Sequence, residues 1–465
     1  MLSVGLPLAI SVFIVLGLTC TYTVFLLLEA KRMADLDIAE RKLLRAWLEG
    51  EDQDEEHDEE QTFSLCPPST TVRSTPSTPL LLPPLPSHKP LTQLLTYEDL
   101  VTHLLGPLFG KVIRWTIPIL STCFCTGYVI CIINNVQAAA PGSFSREFLG
   151  LCLLPILVGL GQIKWLNDLA IISLLGAVIY MLGVVGYSFF YSMEQWAPIP
   201  NLMTNHWSKL VEFSGTAVYA LEGIALVLPC ERSMKDKSKA LPMTTSCLVL
   251  YTFVVVSYSA MVVASGVMTE DCDIVTDCFE GTPAKVIRVA LSLALVLSHP
   301  VTLYPATEIC EVLLERKGWD GKGGGGGEDG DMMTKLLDHS EELSDEEGGG
   351  GTTCKESGYC ACCSKAALIT FALRTTLVSV TVISGAYIKS FADFSNFIGA
   401  VGLTFIGFIV PPFLYVWACW RRGKKGLMGV GIGNWGAMGL TFFFGMYNIF
   451  VTGGAAGLVL FKIER

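Results

Sequence analysis

The chain has 465 residues, 51% of them hydrophobic and only 16% charged, with a mean hydropathy of +0.51 and a formal net charge of −11. Such an apolar excess excludes an ordinary soluble enzyme, whose buried helices are shorter and alternate with polar faces. The acidity is local: Glu51–Glu60 holds eight acids, Glu328–Glu347 holds nine acids and one lysine, and the remainder without them is +5, with no basic patch outside short loops to bind nucleic acid.

Crossing about 30 Å of hydrocarbon takes ~20 apolar residues in a helix. Ten stretches of this kind follow one another, at 3–28, 112–138, 147–163, 165–192, 212–229, 242–267, 285–310, 366–388, 394–419 and 432–461. They predict an all-α polytopic membrane protein lodged in a lipid bilayer. Its parts are a first span at 1–32, an insert at 33–98, a bundle at 99–316, a second insert at 317–364 and a closing bundle at 365–465. Both inserts read as disordered, because like charges with Pro/Ser/Thr or glycine runs bury little apolar surface. A basic cytoplasmic partner is the alternative use for them.

Lys31, Arg32, Arg41, Lys42 and Arg45 follow the first span, and further basic clusters follow the fifth (Arg232 to Lys239) and the ninth (Arg421 to Lys425). Loops rich in Lys and Arg stay cytoplasmic, which places both inserts on that side and Met1 on the other. Parity then suggests an eleven-helix protein that has lost its first helix. In the second span Tyr128 is either a pocket wall or a packed aromatic.

The fifth span carries the most telling pattern. Glu222 and Gly223 stand near the middle of an apolar run, with Pro229 and a basic exit beyond. An ionisable group in a bilayer is costly and faces a bundle interior or a wet cavity, and an adjacent glycine lets the helix open where such a cavity exists. A substrate site on a discontinuous transporter helix needs that combination. Burial would raise the Glu222 pKa, so it either carries a coupling proton or hydrogen-bonds a neighbouring helix and locks the opened segment.

Beyond it, Cys272 and Cys278 share a non-cytoplasmic loop where a disulfide is plausible. His299, before Pro300, is a candidate for proton traffic or a packing partner at a kink. Cys360, Cys362 and Cys363 precede the eighth span on the cytoplasmic side, as palmitoylation sites do, with a zinc site as the alternative. Arg374, near the end of its span, reads as a residue reaching the interface. Gly323–Gly327 lacks the Lys-Ser/Thr of a phosphate loop, and no metal, cofactor or catalytic constellation stands out, so an enzyme is not expected.

Thr216–Lys235, with Tyr-Ala-Leu-Glu-Gly-Ile and Val-Leu-Pro followed by Glu231, resembles the sixth helix of the amino acid/auxin permease family, its proton-coupled and vacuolar branches in particular. Gly127–Gln137, Ser298–Glu308, Arg374–Gly385 and Phe397–Pro412 resemble its third, eighth, ninth and tenth helices, and Gly5–Arg32 its second. The likeness covers nearly all membrane segments and fails over both inserts; the family's first helix has no counterpart here. The resemblance implies a LeuT-like inverted-repeat bundle of five plus five helices, with Gly215, Thr216, Tyr219, Glu222 and Gly223 nearest the substrate and Tyr128 close by. It further implies a secondary transporter of small neutral amino acids, working by alternating access with the proton as coupling ion, in a vacuolar, lysosomal or plasma membrane. The alternatives are an amino-acid sensor or scaffold that transports nothing, and a transporter of another small organic acid.

Overall fold

The computed structural model describes residues 5–59, 96–142, 144–163, 166–194, 209–221, 223–234, 236–265, 279, 281–320, 361–423 and 432–462, which are helical with short connections and contain no strand. In chain order the helices are α1 (Leu6–Glu59), α2 (Tyr97–Leu105), α3 (Pro107–Ala139), α4 (Arg146–Gly161), α5 (Leu166–Ile179), α6 (Tyr187–Glu194), α7 (Leu210–Leu221), α8 (Ile224–Ser233), α9 (Ala240–Ala264), α10 (Gly281–Asp320), α11 (Ala361–Tyr387), α12 (Phe391–Ile398), α13 (Val410–Arg421), α14 (Ile432–Tyr447) and α15 (Gly454–Lys462). π-helical turns join α5 to α6 (Tyr180–Gly186), α12 to α13 (Gly399–Leu403 and Phe405–Ile409) and α14 to α15 (Asn448–Gly453).

Nine helical stretches among the described residues are long and apolar enough to cross a membrane. The tenth expected from sequence is α4, whose 16 residues reach only about 24 Å at 1.5 Å per residue. Bulky side chains such as Leu182, Phe190 and Phe443 stand more than 70% exposed, an outer surface that suits hydrocarbon and would be a liability in water.

Residues 33–59 differ from the expected irregular insert: α1 runs on as helix to Glu59. No Gly or Pro occurs from Ala30 to Glu49, and Ala, Leu, Glu, Lys and Arg favour helix. Arg41 also pairs with Asp37 one turn back, at 3.1 Å.

The described chain divides into two compact units that interleave along the sequence. The first comprises Met1–Leu120, Val185–Ala284 and Ser390–Arg465. Within it α1 packs along α9 and α13, and α7 packs on α12 and the π turn that follows. The α7–α12 crossing is close because glycines face each other: a β-carbon on Gly399 would overlap the Gly215 carbonyl, and one on Gly215 would overlap the side chain and carbonyl of Asn396. Small residues are what allow helix backbones to approach in lipid. Carbonyls in the π turns find side-chain donors, Thr404 Oγ1 to Gly399 O at 2.8 Å and Tyr97 Oη to Ile406 O at 3.1 Å.

The second unit comprises Ser121–Val184 and Lys285–Lys389. Its core joins Val129 and Ile133 of α3, Leu157 of α4, Leu303 of α10 and Val378 of α11. α4 is fastened to α11 at both of its own ends by arginines. Arg146 donates to the carbonyls of Gly385, Ala386 and Ile388 at 3.3, 3.1 and 2.7 Å. Arg374 Nη1 donates to the carbonyls of Gly161 and Ile163, and its Nε to Glu311 Oε1 at 2.6 Å. The last carbonyls of a helix have no partner within it, and each guanidinium supplies several donors at once. Arg374 is only 4% exposed, so the expectation of an interface residue is corrected: the side chain caps a helix inside the unit.

Candidate functional site at a broken helix

The fifth apolar span crosses as two helices. α7 ends at Leu221 and α8 begins at Ile224, with Gly223 between them at φ −150° and ψ 10°, outside the helical region. Glu222 lies outside the described residues. A break in mid-span leaves carbonyls at one half-helix end and N–H groups at the other, with the helix dipoles meeting head to tail across the gap. One carbonyl on the α7 side is taken: Tyr251 Oη of α9 donates to Ala220 O at 2.9 Å.

A cavity of about 370 Å³ opens beside the break. Its wall includes Leu221, Gly223 and Val227 from the broken span, Cys20 of α1, and Cys247 and Tyr251 of α9. The lining is mainly aliphatic and thiol, with hydroxyls from Thr23, Thr244 and Tyr251.

The structure distributes the expected site residues unequally. Gly223 lines this cavity. Gly215 is held in the α7–α12 crossing, and Tyr219 is buried there, its ring 6.0 Å from and edge-on to that of Phe391. Thr216 sits half-buried on the same helix. Tyr128 belongs to the other unit, where Thr302 Oγ1 donates to its Oη at 3.5 Å and Phe124 packs edge-on at 6.3 Å. His299 is fully buried in that second unit, with Nε2 3.3 Å from Thr381 Oγ1 and no hydrogen-bond partner for Nδ1 among the described residues. Cys272, Cys278 and Cys360 lie outside the described residues, as do the side chains of Cys362 and Cys363.

Sequence reasoning missed one feature of this region. Lys31, counted as a loop cation, is 2% exposed and pairs with Glu231 at the end of α8. The only sequence signal was an acid, Glu231, placed directly after a proline-containing apolar run.

These features define a class: a multi-pass integral membrane protein with one apolar span broken beside an acid–glycine pair and a cavity at the break. The chain belongs to the transmembrane amino acid transporter protein family, whose model matches residues 88–452, in agreement with the resemblance read from the sixth-helix pattern. It is therefore of a transporter family and not an enzyme. Similar proteins include the proton-coupled amino acid transporter-like protein pathetic of Drosophila melanogaster, 22% identical over 66% of this chain and 60% of that protein. Vacuolar amino acid transporter 4 of Saccharomyces cerevisiae is 26% identical over 46% of this chain and 32% of its own length. Amino acid transporter AVT3C of Arabidopsis thaliana is 23% identical over 69% and 67%. The match thus spans 60% and 32% of the first two relatives.

Proposed function

We propose that this protein is a secondary active transporter of small neutral amino acids, driven by protons and working by alternating access. The observation that carries this reading is the interruption of the apolar span between Leu221 and Ile224, with a cavity beside it. A free amino acid is a zwitterion and needs donors for its carboxylate and acceptors for its ammonium away from water. A broken helix supplies both kinds of group at one depth in the membrane. The aliphatic wall of the cavity suits an uncharged side chain, and 370 Å³ suits a small molecule. Family membership and the names of the proton-coupled and vacuolar relatives favour the same solute class and driving ion.

In this reading the bundle is LeuT-like, and Gly215, Thr216, Tyr219 and Gly223 shape the broken span. Glu222 carries the coupling proton, and the membrane is vacuolar, lysosomal or plasma. The test is uptake of labelled alanine or glycine into vesicles with an imposed pH gradient. Uptake should rise when protons run inward with the solute. Glu222→Gln should retain uptake at saturating substrate and lose its pH dependence. Wild-type uptake indifferent to the gradient, or a variant with the wild-type pH profile, would overturn the coupling assignment.

A further inference from the structure

The buried Lys31–Glu231 pair joins α1 to α8, the second half of the broken span. Its Nζ and Oε2 lie 2.6 Å apart, and the two side chains are 3% and 14% exposed. Asp35 follows Lys31 by one turn on α1, and its Oδ1 is buried with no hydrogen-bond partner among the described residues. The charges acting on Asp35 are Lys31 on its own helix, Glu231 on α8, and Lys237 in the turn Lys237–Lys239 after it.

Two carboxylates therefore compete for one buried ammonium. With both ionised, Asp35 draws Lys31 away from Glu231 and repels Glu231 directly. A proton on Asp35 removes both effects and leaves Lys31 wholly to Glu231, because neutralising one like charge favours ionisation of the other. The pair is also placed to matter mechanically. α8 is a ten-residue helix, about 15 Å long at 1.5 Å per residue, separated from α7 by the break at Gly223 and held near its far end by Glu231. Val227 and Cys230 on α8, with Cys20 and Val24 on α1, wall the cavity beside the break.

We propose that Lys31, Asp35 and Glu231 form a proton-operated latch that holds α8 against α1. Asp35 takes up the proton, and the Lys31–Glu231 pair is the bolt. Acidification on the side reached by Asp35 closes the latch, and loss of the proton frees α8 to swing about Gly223 and open the cavity wall. The latch does not depend on which solute enters the cavity or on the role given to Glu222.

Pulsed electron–electron distance measurements test this in the full chain, purified in lipid nanodiscs. Spin labels on unnatural amino acids replace the exposed Leu36 of α1 and Ser233 of α8. The wild type should show a short-distance population that dominates at pH 5 and gives way to a longer one by pH 8. Asp35→Asn, nearly isosteric and unable to ionise, should hold the short distance at every pH. Lys31→Met should lose the short population throughout. Should that variant not fold, Glu231→Gln serves in its place and should weaken the short population at low pH. A pH-independent distance in the wild type, or an unaltered pH response in Asp35→Asn, would overturn the latch. Because no solute is present, either result stands apart from the uptake test of transport.

Discussion

Gly399 illustrates how a single residue sets a helix crossing. Any β-carbon there meets the Gly215 carbonyl and the Tyr219 N–H, both backbone groups that cannot rotate aside. Gly399→Ala should therefore destabilise the protein by about 1–3 kcal/mol, the usual cost of overpacking a filled site. Gly436→Ala is the control, since nothing lies within 4 Å of a β-carbon at Gly436. It should leave the melting temperature in detergent unchanged or slightly raised, and equal melting of the two variants would contradict the crossing argument. Glu222 was legible in the sequence because one acid in an apolar run stands out by its cost. Lys31 was not, because its partner is 200 positions away and a lysine just past an apolar run has the look of an interfacial anchor.

Among the elements, α1 and α2 are tied by a contact that titrates. His103 of α2 lies 3.2 Å from Asp37 of α1, and Arg421 donates to the His103 carbonyl. Burial holds the His103 pKa below its ordinary 6.5, against the opposing hydrogen bond to Asp37. The folded state thus binds its proton less readily than the unfolded chain. This contribution to stability is fully present above the unfolded pKa and declines as pH falls through it, levelling once the pH passes the folded value. Melting temperatures from pH 8 to pH 5 should therefore fall more steeply for the wild type than for His103→Gln. Parallel profiles would show that the ring does not titrate as described. The break between α7 and α8 was readable from Glu222–Gly223, since a polar residue beside glycine marks where a helix can open. The π turn at 405–409 was not, because its Ile406 carbonyl is satisfied by Tyr97, a side chain that only the fold brings near.

Across the whole molecule, the second insert bears on function through what it lacks. Residues 321–360 hold glycine runs and the whole of one acidic cluster, and no membrane-helix pattern resembles them. Deleting them should leave amino-acid uptake in vesicles within about twofold of wild type. A complete loss would instead favour an essential role for the insert in the transport cycle. The amino-acid order alone determined that the chain lives in a membrane, roughly how many times it crosses, and which span is broken. Hydropathy, charge cost and glycine freedom act on neighbouring residues, so they can be read locally. Only the tertiary structure decided that Arg374 caps a buried helix end and that Lys31 meets Glu231. Each of these depends on contacts between segments far apart in the chain, and distances of that kind are set by packing and not by composition.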